Sequence, residues 1–156
     1  ISYNSRHVIT IEVYEKAMAG CVQYMNQYVY FDKDGIVLET SDKKIEDVPC
    51  IEGMTFKSMT LHQKLPIKDS DRFEKILKIT QLLDKYQLNI TGVEFTENGE
   101  ILLYEEDIKI ELGKGDNVEE QFVDLGNILS KLEGRKGTLD MSDFTTENGK
   151  ATFKLE

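Results

Sequence analysis

The sequence has no tryptophan, only two histidines and two cysteines, and no long apolar run. Each shortage excludes something. Nucleophilic catalysis by serine or cysteine needs a histidine close by, and only His7 and His62 exist. Neither is flanked by an orienting motif such as GxSxG, so both read as surface residues. Without tryptophan, and with the tyrosines falling mostly on strand-like segments, a stacking platform for sugars is disfavoured. Cys21 and Cys50 fit no CxxC metal spacing. They read as two buried reduced thiols, or as a disulfide in an exported domain. No segment approaches the ~20 apolar residues of a membrane span, and no signal peptide is visible. The chain opens on Ile1, without methionine, and so reads as a piece of a longer protein.

Positive charge is also scarce. Formal net charge is −10, and the longest basic runs are pairs such as Lys43-Lys44 and Arg135-Lys136. An acidic surface repels phosphate backbones and anionic headgroups, which argues against nucleic acid or a membrane surface as partner.

What remains suits one compact domain. Hydrophobic residues make up 40% of the 156 residues, and charged residues 31%. The segment 7–15, "HVITIEVYE", alternates as a strand does. The segments 17–25 and 28–31 read as strands turned at Asn26-Gln27. Asp32–Gly35 turns the chain into a further strand, 36–39. A polar loop runs to Pro49, followed by short extended pieces around Gly53 and Pro66. Helical spacing of Phe73, Ile76, Leu77, Thr80 and Leu83 predicts a helix over about 70–86, capped by Asp69 or Ser70. Strands follow in "NITGVEFT", "EILLYE" and "IKIELG", with Asn98-Gly99 as a hairpin turn. Val118, Phe122, Leu125, Leu129 and Leu132 predict a second helix, with Asp116 and Glu119 as a capping box. "GTLDMSDF" and "GKATFKLE" read as closing strands turned at Asn148-Gly149. The expected fold is α+β, with a mostly antiparallel sheet and two main helices packed on one face.

Two motifs invite ligand chemistry and fail. Asp32 and Asp34 could open an EF-hand loop, but glycine then falls at the fourth position, and Lys43 stands where the closing glutamate belongs. "LGKGDN" has the wrong spacing for a P-loop, and Asp116 would compete with an anion at the helix start. The residues indicate no catalytic, cofactor or metal site.

Taken together, "ITIEVYEKAMAG", "YVYFDKDGIVLE" and "VPCIEGMTF" resemble the FtsQ/DivIB family of bacterial cell-division proteins. Val13, Glu15, Lys16 and Ala19 match its first motif, where Ala17 replaces the usual proline. Asp32 and Gly35 match its Asp-x-x-Gly turn, and Pro49 with Gly53 its Pro-x-x-x-Gly piece. "IKIELGKGDNVEEQFVDLGNILSKL" resembles its strand-Leu-Gly-helix segment. Leu139, Asp140 and Met141 match its closing strand, where Ser142 departs.

The resemblance implies a non-enzymatic scaffold of the divisome, active in septation and septal wall synthesis. Its parent would be a single-pass membrane protein with this domain outside the cytoplasm at the septum. Residues 1–14 would be the last strand of a truncated POTRA domain, and 15–156 the β domain. The implied partners are the FtsL and FtsB/DivIC coiled-coil proteins, bound by strand addition to the edge of the last strand. Carried over, that edge is Gly149, Lys150, Ala151, Thr152 and Phe153, with Met141 and Phe144 beside it. The alternative from another class is a secreted ligand-binding or hydrolytic domain that uses the acidic loops, with a metal if one binds.

Overall fold

The computed structural model describes residues 17–156. The expected strand at 7–15, the POTRA strand at 1–14, His7, and the motif residues Val13, Glu15 and Lys16 lie outside that range. Among the described residues the elements are β1 (Gly20–Tyr24), β2 (Gln27–Phe31), β3 (Val37–Ser41), β4 (Cys50–Glu52), α1 (Ser70–Lys85), β5 (Gly92–Phe95), β6 (Ile101–Glu105), β7 (Ile108–Gly113), α2 (Val118–Lys131), β8 (Gly137–Asp140) and β9 (Thr152–Leu155).

These nine strands form one sheet in the order β3-β2-β1-β4-β5-β6-β7-β8-β9. The fold is α+β, but the sheet is mixed rather than mostly antiparallel. β1–β4, β4–β5 and β7–β8 pair in parallel. Parallel neighbours cannot be joined by a tight hairpin and need a crossover, commonly a helix. Each helix serves as one: α1 links β4 to β5, and α2 links β7 to β8. Between these junctions, hairpins join β1 to β2, β2 to β3, β5 to β6 and β6 to β7.

Local chemistry explains most boundaries. Asp69 caps α1 by accepting the Arg72 N–H at 3.0 Å. The helix buries Phe73, Ile76, Leu77, Ile79, Thr80, Leu82 and Leu83, in accord with the expected stripe. At α2 the expected capping box is absent. Asn117 occupies the N-cap position without a side-chain bond. Glu119 instead pairs with Lys78 of α1, so a contact between helices displaces a local one. The β1–β2 turn falls at Met25-Asn26, with φ of 48° and 61°, one residue earlier than expected. At Asn98-Gly99 only Gly99 takes positive φ, and the Gly99 N–H closes a turn onto the Thr96 carbonyl. The segment around Pro66 forms no strand beyond an isolated bridge between Ile36 and Lys64.

The main core joins apolar side chains of both helices to alternate strand residues, among them Val22, Ile51, Val93, Leu103, Ile110 and Leu139. Strand residues of opposite parity, Cys21 and Tyr30, form a smaller cluster with Val48.

Two glycines of the resembling motifs have clear reasons. Gly35 has φ of 79°, and a Cβ there would lie 2.6 Å from the Phe73 ring. Gly53 has φ of 83°, and a Cβ there would lie 2.0 Å from the Phe95 carbonyl oxygen. That obstacle is backbone and cannot swing aside. Gly53→Ala should therefore destabilise the fold by about 3 kcal/mol, through strain and overpacking at the β4–β5 junction. A urea midpoint equal to wild type would refute this reading of the junction.

Candidate partner-binding edge

β9 is one edge of the sheet and β3 the other. The two edges differ in how far they are covered. Along β3, the Val37 N–H donates to the Gln63 carbonyl and the His62 N–H to the Val37 carbonyl. The loop at 60–65 thus shields the start of that strand. β9 has no such cover among the described residues.

The register of β9 fixes which backbone groups are available. Gly137 aligns with Leu155, Thr138 with Lys154, Leu139 with Phe153, and Asp140 with Thr152. The Glu156 N–H donates to the Lys136 carbonyl at 3.1 Å. Hydrogen bonding alternates along an antiparallel strand. Thr152, Lys154 and Glu156 therefore turn their backbone groups toward β8. Phe153 and Leu155 turn theirs outward.

Side chains alternate too. Phe153 aligns with buried Leu139 and packs against the main core. Leu155, two residues on, shares that face but remains 67% exposed. Thr152 and Lys154 point to the other side and are exposed. A short edge strand carrying a lysine is a common guard against unspecific pairing.

The expected site residues divide into three groups. Thr152 and Phe153 lie in β9, and Ala151, just before it, packs against the core. Gly149 and Lys150 belong to the preceding turn. There the Asn148 side-chain oxygen accepts the Thr145 and Lys150 N–H groups. Met141 and Phe144 are core residues, 0% and 2% exposed. They are not open to a strand added at β9, because the chain folds inward after β8: the Met141 N–H still bonds the Glu111 carbonyl. β9 itself runs on past Phe153 to Leu155. Leu155 was legible, because period two from Ala151 through Phe153 leads to it.

What holds the edge in place is a buried amide. Gln121 of α2 is 0% exposed. Its Nε2 donates to the Leu112 carbonyl at 3.0 Å and to the Met141 carbonyl at 2.7 Å. One side chain thus ties α2 to the ends of β7 and β8. The loop before β9 is docked on the same helix, since Glu120 accepts from both the N–H and the hydroxyl of Thr146. At the end of β8, Asp140 accepts the Ser142 hydroxyl and N–H. These bonds, the hydroxyl's first, hold its carboxyl below the usual range.

The acidic turn offers little for a metal. Asp32 is buried, and its Oδ1 accepts the Asp34 and Ile36 N–H groups, each at 2.9 Å. That is the work of a turn-forming aspartate. Among the described residues, no group of three or more His, Cys, Asp or Glu side chains is placed to hold a metal ion. A cleft of about 610 Å³ opens beside this turn, against the loop at Glu46-Asp47 and the end of α1 at Asp84.

The sequence model of the family described as "FtsQ/DivIB, C-terminal related" matches residues 21–141. The chain belongs to that family. Membership implies a role in bacterial cell division and septation. Among solved structures, the chain is similar to the major extracytoplasmic domain of the trans isomer of the cell division protein DivIB from Geobacillus stearothermophilus. Identity is 17% and the TM-score 0.46, over 72% of this chain and 86% of that one. No curated protein matches.

Gln121→Leu would take this donor from the buried Leu112 carbonyl, while the Met141 carbonyl would keep the Phe144 N–H. A cost of roughly 1–3 kcal/mol is expected from one unsatisfied acceptor. Chemical denaturation should show it, together with faster amide exchange in β8 than in β5. A loss below about 1 kcal/mol, the size of one ordinary hydrogen bond, would mean that the clamp is not needed.

Proposed function

We propose that this domain is a non-enzymatic scaffold of the divisome that binds a partner by strand addition to β9. The observation that carries the proposal is the outward backbone of Phe153 and Leu155, on an edge that no other described residue covers, next to the exposed Leu155 side chain. An added strand would satisfy those groups, and its alternate side chains would meet Leu155 on one face and Lys154 on the other. Family membership supports a division protein as the partner. The partners we infer are FtsL and FtsB/DivIC. In this reading the parent protein is anchored by one membrane helix and presents the domain outside the cytoplasm at the septum. Both helices then cover one face of the sheet, and the edge stays clear for an incoming strand.

Backbone alternation supplies a sharp test. Proline at 155 removes an outward N–H and leaves the β8–β9 ladder intact. Proline at 154 removes an inward donor and damages the ladder itself. In a calorimetric titration with the soluble part of the cognate FtsL–DivIC pair, Leu155→Pro should weaken binding at least about tenfold, the value of a lost hydrogen bond plus apolar contact. Its melting temperature should stay within a few degrees of wild type. Lys154→Pro should lower both. Wild-type chain that is folded yet shows no binding would sink the proposal. Undiminished binding by Leu155→Pro would move the site away from β9.

A further inference from the structure

The first parallel junction contains the only two cysteines of the chain. Cys21 of β1 and Cys50 of β4 are register partners on adjacent strands. Aligned residues on neighbouring strands have Cα atoms about 5 Å apart, inside the roughly 4.4–6.8 Å range that a disulfide spans. Both side chains enter the same small cluster with Tyr30 and Val48, and the two thiols interact directly. Both are free thiols in this structure.

Their exposures differ usefully. Cys21 is 0% exposed, whereas Cys50 is half-buried. The Lys44 ammonium, anchored on the Thr91 carbonyl at 3.2 Å, acts on both. The interaction with Cys21, and then Lys44, draws the Cys50 thiol below its ordinary value against burial and Glu52. The same interaction and burial push the Cys21 thiol up. From β2, the phenols of Tyr30 and Tyr28 flank the cluster. From β5, the register partner of Cys50 is Gly92, which brings no charge.

We propose that Cys21 and Cys50 form a thiol–disulfide site, in which a small-molecule disulfide oxidises the pair to a covalent staple between β1 and β4. Cys50, accessible and the more readily ionised, loses its proton and attacks one sulfur of the oxidant. One thiolate leaves, and a mixed disulfide remains on Cys50. Cys21 then loses its proton and attacks the Cys50 sulfur, expelling the second thiolate. Two electrons pass to the oxidant, two protons are released, and one Cys21–Cys50 bond forms. The junction it would secure is slight, since β1 and β4 share only two register pairs. This inference is independent of partner binding at β9.

Oxidised glutathione, in molar excess over the full chain, tests it. Intact mass should fall by two hydrogens per chain, and peptide mapping should link Cys21 to Cys50. The melting temperature should rise by roughly 5–15 °C over the reduced chain, and reductant should reverse the change. Cys21→Ala should instead stop at a glutathione adduct on Cys50. Cys50→Ala should acquire neither adduct nor linkage, because Cys21 is buried. Wild-type chain that keeps two free thiols, holds a lasting glutathione adduct, or links only between chains would overturn the proposal. A lower melting temperature on oxidation would contradict the staple.

Discussion

The exposed edge at β9 depends on the parallel pairing of β7 with β8. Two parallel neighbours cannot be joined by a turn, so the chain must travel the length of the sheet before it can lay down β8. α2 makes that passage and must itself be held. Its apolar stripe of Phe122, Leu125 and Leu129 is buried. Gln121 then fixes its position by taking one carbonyl from each strand end. A buried amide that reaches two carbonyls works as a gauge as well as a bond, because a helix shifted by one turn would carry its donors away from both. β9 exists as an edge only because β8 is held there to receive it.

The first parallel junction is built differently. β4 is three residues long and lies between β1 and β5. Backbone links supplement the ladder on both sides: the Cys21 N–H bonds the Pro49 carbonyl, and the Cys50 N–H bonds the Thr91 carbonyl. Gly53 then lets the chain leave β4 against the Phe95 carbonyl. The motif Pro-x-x-x-Gly thus has a physical meaning, a short strand entered from Pro49 and left through a position where a side chain cannot fit. The proposed staple of Cys21 to Cys50 would strengthen this same junction.

Much of this was legible in the sequence, and the rest was not for definite reasons. Helix α1 announced itself through Asp69 and a regular apolar stripe, because both signals are local. The strands were legible by alternation and the hairpins by their turn residues. The parallel pairings were not, because nothing near β4 or β8 records which distant strand lies beside it. The capping box at Asp116 failed for a related reason, since Glu119 found Lys78 on the other helix. Met141 and Phe144 were placed beside the edge by proximity in sequence, yet the chain turns into the core directly after Asp140. Gln121 gave no signal, because a glutamine on an amphipathic helix reads as surface until two carbonyls are seen to surround it.

The central claim is that Phe153 and Leu155 offer their backbone to a partner strand. Residue-resolved amide exchange, with and without the soluble FtsL–DivIC pair, measures this most directly. Along β9 the account predicts alternation in the free chain: Lys154 and Glu156 protected, Phe153 and Leu155 fast. In the complex, Phe153 and Leu155 should slow to the rate of their neighbours. Fast exchange at both positions in a fully formed complex would contradict the account.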